Sequence, residues 1–210
     1  MKTVSLILLA GGLGIRMSSD VPKTFLPLKG KPLVLHSFEL FSKMSEIHQI
    51  VVVCPEDFRH LFPKATTFAT PGKTRQDSVQ SGFQKTKGEI LLIHDGARPF
   101  VSKKDVLKLL CEGASTGAAT LGSPVKNTIK QVKSSLVEKT LDRSALYDIY
   151  TPQLLSREVY EKGYHKNQHA PLTDDVALAE SIGHPVKIVE GCHNNFKITY
   201  PIDLKLAALL

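Results

Sequence analysis

Apolar and polar positions follow two rhythms along the 210-residue chain. Short apolar-rich runs recur at Val4–Leu9, Ile47–Cys54 and Glu89–His94, and each reads as a buried strand. Between them lie segments of helical period. Pro32–Lys43 carries apolar residues at Leu33, Leu35, Phe38, Leu40 and Phe41 and opens on a proline, which suits a helix start. Thr74–Lys85 predicts a polar helix behind the Pro71-Gly72 turn. Ser102 is placed to cap another helix, with Val106, Leu107, Leu109 and Leu110 as its apolar positions. Ala118–Leu121 leads into Pro124. Strands alternating with helices predict an α/β fold, a mostly parallel sheet flanked by helices.

Beyond Pro124 the rhythm changes. Residues 127–133 (NTIKQVK) and 136–140 (LVEKT) are strand-like runs around Ser134-Ser135, with little apolar content on either face. A hairpin that cannot bury a face is marginal alone, so residues 126–150 are expected to form an arm that packs on something else, such as a second subunit. Helices are predicted again at 152–162 and 174–182, then a strand near 185–189 and a helix at 201–210. No internal repeat or low-complexity linker divides the chain, and one domain over 1–210 is expected.

Composition narrows the function classes. The chain is 42% hydrophobic and 22% charged, normal for a protein with a real core. Its net charge of +7 is compatible with an anionic ligand or with nucleic acid. The cations are scattered, however, and no Trp is present to stack bases, so no nucleic-acid partner is expected. Cys54, Cys111 and Cys192 are far apart and form no C-x-x-C, which argues against a disulfide framework or zinc site and fits a reducing compartment. No apolar stretch reaches membrane-spanning length. The expected location is cytoplasmic, with no membrane association.

The strongest chemical signal follows the first strand. Ala10-Gly11-Gly12-Leu13-Gly14-Ile15-Arg16 is glycine-rich, and Lys23 stands seven residues after Arg16. Glycines let backbone N–H groups approach a ligand, and the two cations suit a phosphate chain held by that loop. The loop matches neither common phosphate motif. Met17 stands where a dinucleotide fingerprint wants its third glycine, and Gly30-Lys31-Pro32 does not complete a Walker motif. A second element is His94-Asp95-Gly96-Ala97-Arg98-Pro99. Ligands collect beyond the carboxyl ends of strands in open α/β sheets. There Asp95 is suited to hold Mg²⁺, and Arg98 either grips a phosphate or pairs with Asp95 to tie the loop. A third, Gly72 to Ser78, opens a helix and either receives polar ligand atoms or simply caps that helix. Lys197, between apolar neighbours, reads as a Lys on a sheet edge, either a snorkelling side chain or a phosphate ligand. No histidine spacing implies a metal, and no Ser or Cys sits in a nucleophile elbow.

Taken together, LAGGLGIRM, PKTFLPL, GKTRQDSV, HDGARP, SPVKNTIK, LDRSALYDIYTPQ, LTDDVALAE and NNFKITYP resemble the 2-C-methyl-D-erythritol 4-phosphate cytidylyltransferase family, from Val4 to about Leu206. The resemblance implies a Rossmann-like three-layer domain with a protruding β-arm and a homodimer built through that arm. It implies cytidylyl transfer from CTP to 2-C-methyl-D-erythritol 4-phosphate, with release of pyrophosphate and a need for Mg²⁺ or another divalent cation. Matched onto this chain, it implies that Ala10, Gly11, Gly12 and Gly14 line the nucleotide, and that Gly72 and Ser78 read the cytosine. Arg16 and Lys23 would stabilise charge on the α-phosphate. Asp95 would lie by ribose, metal and substrate. Arg143 and Lys197 would position the attacking phosphate, with Thr128, Thr151 and Thr173 nearby and Arg98 on the same substrate, and the arm would complete the site across the dimer. Three positions depart from the family pattern: Leu9 replaces a frequent Pro, Lys73 a frequent acidic residue, and Gly96 a usual Ala. Two other readings fit parts of the sequence: a cytidylyltransferase for ribitol 5-phosphate or another polyol phosphate, and a non-catalytic nucleotide- or RNA-binding module.

Overall fold

Strand runs buried on both faces need cover on both sides, and the structure supplies it. The computed structural model describes residues 2–12, 21–167 and 172–210. Its first half contains β1 (Val4–Leu9), β2 (Pro27–Leu28), β3 (Lys31–Pro32), α1 (Leu33–Ser42), β4 (Gln49–Val53), β5 (Thr67–Ala69), α2 (Arg75–Phe83) and β6 (Ile90–Asp95). The second half adds α3 (Lys103–Thr116), β7 (Ala118–Pro124), β8 (Lys130–Lys133), β9 (Leu136–Thr140), β10 (Tyr147–Ser156), α4 (Arg157–Lys166), α5 (Ala177–Ser181), β11 (Lys187–Glu190) and α6 (Pro201–Leu209).

Among the described residues the main sheet runs β11-β7-β10-β6-β1-β4-β5. It is parallel except at β10, which runs antiparallel to both neighbours. Alternate residues of β1 serve opposite faces. Leu6 and Leu8 pack with Val34, Phe38 and Phe41 of α1 and with Val106 and Leu109 of α3. Ile7 and Leu9 pack with Val79 of α2, Val159 and Tyr160 of α4, and Leu178 and Ala179 of α5. Three layers result, as the alternation predicts. Because β1 and β6 leave no face to solvent, their sequences carry no alternation of apolar and polar residues.

Local chemistry sets the helix ends. Thr74 and Asp77 form a reciprocal capping box at the start of α2, and the Ser102 hydroxyl accepts the Asp105 N–H at the start of α3. Gly117, at φ 74°, closes α3 in the left-handed region that glycine tolerates. Helix α2 rides close to the sheet. A Cβ on Gly82 would stand 2.6 Å from Ile7 Cγ2 and 2.9 Å from Val53 Cγ2.

Two expected helices are corrected. Residues 152–155 belong to β10, not to a helix beginning at Pro152, and Gln153, Leu154 and Leu155 are all buried there. A short buried apolar run does not reveal its own period. The helix begins after Ser156, whose hydroxyl accepts the Val159 N–H at 3.3 Å. The helix expected over 174–182 shrinks to α5: the N–H groups of Asp175 and Val176 are taken by Gln153 Oε1, and that of Ala177 by the Asp174 carboxylate, in the turn before it. The short strand β5 on the sheet edge is also absent from the sequence-based reading.

The arm is present as a separate sheet of β8 and β9, turned at Ser134 and Ser135 with φ of 48° and 66°. Every residue of both strands is exposed, including Leu136 at 74% and Val137 at 60%. No helix among the described residues is long and apolar enough to cross a membrane.

Leu92, in the middle of β6, is fully buried. Leu92→Ala is expected to cost about 2–5 kcal/mol, the range for a core leucine that leaves a cavity. Urea unfolding followed by circular dichroism measures it.

Candidate functional site

The sheet order reverses direction at β1, which places a crevice beyond the carboxyl ends of β1 and β6. A cavity of about 430 Å³ opens there. Its walls come from four places: Gly11 and Gly12 after β1, Gly72 to Ser78 at the start of α2, Asp95 and Ala97 at the end of β6, and Lys197 with Thr199 after β11. Lys23 and Thr24 close one side. A second cavity of about 290 Å³ lies beside it, lined by Arg98, Tyr150, Thr151, Thr173 and Asp174 among others. Arg75, Asp95 and Lys197 line both cavities and so form a shared wall.

Tight packing holds the loop after β1. The Ala10 N–H donates to Val53 O at 2.8 Å, and the Thr24 hydroxyl donates to Ala10 O at 2.9 Å. A Cβ on Gly11 would lie 2.3 Å from Pro71 Cγ, so only glycine fits. At the start of α2, a Cβ on Gly72 would lie 2.2 Å from Asp77 Cβ. The Gly72 N–H donates to Ser78 Oγ at 3.0 Å, so these two expected base-reading groups are joined to each other.

The shared wall is strongly charged. Asp95 is 7% exposed. Lys197 Nζ donates to its Oδ2 at 2.7 Å and Arg75 Nε to its Oδ1 at 3.2 Å, while Arg98 Nε stands 3.9 Å from Oδ2. Burial alone would raise this carboxyl, but Arg75, Lys197 and Arg98 together hold it well below the usual carboxylate range. The three cations therefore favour Asp95 in its charged form. Asp175 behaves differently: burial raises its carboxyl, and the Arg75 fork opposes that rise.

The expected site residues fall into three groups. Gly11, Gly12, Lys23, Gly72, Ser78, Asp95 and Lys197 meet around the first cavity, while Ala10, just before Gly11, is fully buried and does not line it. Arg98, Thr151 and Thr173 meet around the second. Thr128 and Arg143 are exposed near the arm and line neither cavity; Arg143 Nη1 donates to Lys126 O at 2.7 Å. Gly14 and Arg16 lie outside the described residues.

Several side chains are already engaged. Lys23 is buried and its ammonium donates to Ile198 O at 3.0 Å. Arg98 donates to Asn195 O at 2.8 Å and packs its guanidinium 5.2 Å from the Tyr150 ring centre. The placement of Lys197 needs correction. It sits not on a sheet edge but in an extended segment after β11, docked by the Ile198 N–H on Ala97 O. Its partner in this structure is a carboxylate.

The sequence-based reading missed Arg75 and Asp175. Arg75 makes a two-pronged contact with Asp175, Nη1 to Oδ1 at 2.8 Å and Nη2 to Oδ2 at 2.7 Å. The signal available was Asp175 directly before the apolar run Val176–Ala179, a carboxylate that needs a cation if buried. Its partner, a hundred residues earlier in the chain, is not readable from spacing.

The two cavity walls contain no histidine or cysteine among the described residues. Such a site suits anionic substrates brought together by fixed cations rather than attack by a protein nucleophile. No group of three or more His, Cys, Asp or Glu side chains among the described residues could cage a metal.

Comparison with known proteins gives a consistent picture. The family model described as 2-C-methyl-D-erythritol 4-phosphate cytidylyltransferase (IspD) matches residues 4–210. The chain is 43% identical over 221 residues to the chloroplastic protein of that name from Oryza sativa subsp. japonica, covering 100% of this chain and 74% of the rice protein. It is 43% identical over 209 residues to the Chlamydia pneumoniae protein of the same name, covering 98% of each. The solved 4-diphosphocytidyl-2C-methyl-D-erythritol synthase of Anaerococcus prevotii superposes with a TM-score of 0.88 at 26% identity, over 99% of this chain and 95% of that one. The Thermus thermophilus 2-C-methyl-D-erythritol 4-phosphate cytidylyltransferase gives 0.82 at 29% identity, over 100% and 98%.

His94, next to Asp95, is fully buried. Its Nε2 lies 3.2 Å from Arg98 O, which can only accept, so that nitrogen carries the proton. Nδ1 then accepts from the Thr151 hydroxyl at 3.1 Å, and that hydroxyl accepts the Asp95 N–H at 3.0 Å. Burial pushes the imidazole down from 6.5 to about 4. As pH falls, the unfolded chain binds this proton first, so stability is complete above the unfolded value and is lost between 6.5 and about 4. At about pH 5 the loss is on the order of 2 kcal/mol. Urea midpoints at about pH 7.5 and about pH 5 should therefore differ less in His94→Gln than in the unaltered chain.

Proposed function

Since the chain belongs to the 2-C-methyl-D-erythritol 4-phosphate cytidylyltransferase family, we propose that its two abutting cavities are the two halves of one transfer site. The enzyme is a nucleotidyltransferase that moves the cytidylyl group of CTP to 2-C-methyl-D-erythritol 4-phosphate in isoprenoid biosynthesis. The larger cavity takes CTP and the smaller the alcohol phosphate. The observation that carries this assignment is the wall they share, Arg75, Asp95 and Lys197, where the two substrates' phosphates must meet.

A phosphate oxygen of the acceptor attacks the α-phosphorus of CTP. A new P–O bond forms there as the bond to the bridging oxygen breaks and pyrophosphate departs. Two anions must approach, so positioning and charge compensation carry the reaction. In the proposed arrangement Gly11, Gly12 and Gly14 let the triphosphate lie against backbone, with Ala10 beneath. Gly72 and Ser78 meet the cytosine. Lys23 and Arg16 stabilise negative charge growing around the α-phosphorus, and Lys23 is held for this by Ile198 O. Lys197 orients the incoming phosphate. Arg98, fixed by Asn195 O, adds positive charge behind Thr151 and Thr173.

A divalent cation, Mg²⁺ in the first instance, is proposed at Asp95. One carboxylate suits an ion that keeps several waters and takes its other ligands from substrate phosphates. Bound there, it would neutralise phosphate charge and hold the triphosphate in shape.

A homodimer is proposed through the β8–β9 arm. Val132, Leu136 and Val137 are apolar and exposed on it, with no cover among the described residues. A partner's arm would carry Thr128 and Arg143 to the acceptor cavity, which this chain's own copies do not line. The cytoplasm is proposed as the compartment. Three unpaired cysteines suit reducing conditions, while the rice relative is named as chloroplastic.

Pyrophosphate release from CTP with 2-C-methyl-D-erythritol 4-phosphate, and with ribitol 5-phosphate in a parallel arm, tests the acceptor. Turnover with the first and little with the second is expected; the reverse would reassign the small cavity. Lys23→Ala should lower kcat by ~10²-fold, the scale of one lost electrostatic donor, and Arg16→Ala should do the same. Near-native turnover in either would remove that residue from the assignment. Light scattering should give twice the 23.1 kDa chain mass. Leu136→Lys combined with Val137→Lys should yield monomers with a raised KM for the acceptor.

A further inference from the structure

Arg75 is given no role of its own in the transfer step above, yet it borders both cavities. It is the first residue of α2, where the Thr74–Asp77 capping box fixes the backbone from which its side chain leaves. The guanidinium divides its donors. Two go to Asp175, at 2.8 and 2.7 Å, and the Nε–H goes to Asp95 Oδ1 at 3.2 Å. A planar fork can do this, whereas a single ammonium cannot.

The anchor is itself tied down. The N–H groups of Asp175 and Val176 both donate to Gln153 Oε1, at 2.8 and 3.2 Å. Gln153 Nε2 in turn donates to Asp174 Oδ2 at 2.9 Å and to Thr120 Oγ1 at 3.1 Å. The turn carrying Thr173 and Asp174 is thus fastened to β10 and β7 from beneath and to α2 through Arg75. Asp95 sits on the other prong, at the end of β6.

We infer that Arg75, with Asp175 as its anchor, is a positioning residue that sets Asp95 and the Thr173 turn at a fixed separation and so shapes the acceptor cavity. The inference rests on the assignment of that cavity to the alcohol phosphate. Most groups proposed to hold CTP are fastened elsewhere: Gly72 by Ser78, Lys23 by Ile198, and the loop after β1 by Thr24. Asp95 is shared between the cavities and keeps its Lys197 contact without the fork, so loss of the fork should fall chiefly on the acceptor.

The test compares Arg75→Lys, Asp175→Asn, the double variant and Lys197→Ala with the unaltered enzyme, by initial rates of pyrophosphate release with each substrate varied. Arg75→Lys keeps a cation between the two carboxylates, so neither is left buried alone. It is expected to raise the acceptor KM by ~10-fold or more and to leave the CTP KM within ~3-fold, since a small misplacement at a reacting centre costs this much or more. Asp175→Asn should move the same parameter in the same direction. The double variant should be no worse than the worse single one, because both break one contact. A lower kcat with both KM values unchanged would mean only a smaller folded fraction and would overturn the inference. Unchanged kinetics, or fully additive losses in the double variant, would overturn it as well. Should Arg75→Lys fail to fold, Asp175→Asn decides by the same split. Lys197→Ala separates the two levels: an unmoved acceptor KM in that variant sinks the cavity assignment, whereas a raised one beside an unaffected Arg75→Lys sinks only the role of Arg75.

Discussion

A buried carboxylate at the end of a central strand is the constraint around which this molecule closes. Isolated in a protein interior, Asp95 would be too costly to keep charged. It stays charged because Arg75, Arg98 and Lys197 converge on it from three separate parts of the chain. Each arrives by a different route: Arg75 on the first turn of α2, Arg98 from the loop after β6, and Lys197 on the extended segment that docks on Ala97. The Asp95 contacts therefore both close the fold and build the site. Removing the carboxylate itself would leave three neighbouring cations without their shared partner, whereas removing one cation leaves two others on Asp95.

The same convergence gives the site its character. Two cavities meet at a partition of fixed charge, and the cations in and around it are held by carboxylates or carbonyls before any ligand arrives. Lys23 is held by Ile198 O, Arg98 by Asn195 O and Arg75 by Asp175. Cations held in this way need little reorganisation when negative charge develops, which is where preorganised electrostatic sites gain most. Transfer between two phosphorylated substrates asks for that and for little covalent help.

Much of this was legible in the chain itself, and the limits have physical causes. The strands β1, β4 and β6 show as apolar runs because both their faces are covered, and Thr74 and Ser102 announce their helices because capping is local chemistry. The glycine loop, Lys23, Asp95 and Lys197 stand out because glycine and isolated charge are conspicuous against apolar neighbours. Strand β10 was hidden, since Gln153-Leu154-Leu155 is short, buried and equally consistent with a helix. The Arg75–Asp175 contact was hidden for a different reason. It joins residues a hundred positions apart, and only the packing of α2 beside the turn before α5 brings them together. Arg98 carried two readings in the sequence, and the structure shows it engaged with backbone carbonyls and close to Asp95.

Gly11 holds a wider lesson. Its missing side chain leaves room for the Pro71 ring, which any Cβ would strike at 2.3 Å. The scaffold thus demands a glycine there for its own closure, before any ligand is considered. A descendant of this fold that had abandoned nucleotides altogether would still have to keep it. Pattern searches keyed to that position will gather relatives by architecture, whereas the neighbouring Gly12, where an added Cβ would meet no atom of the described residues within 4 Å, is the better reporter of a ligand.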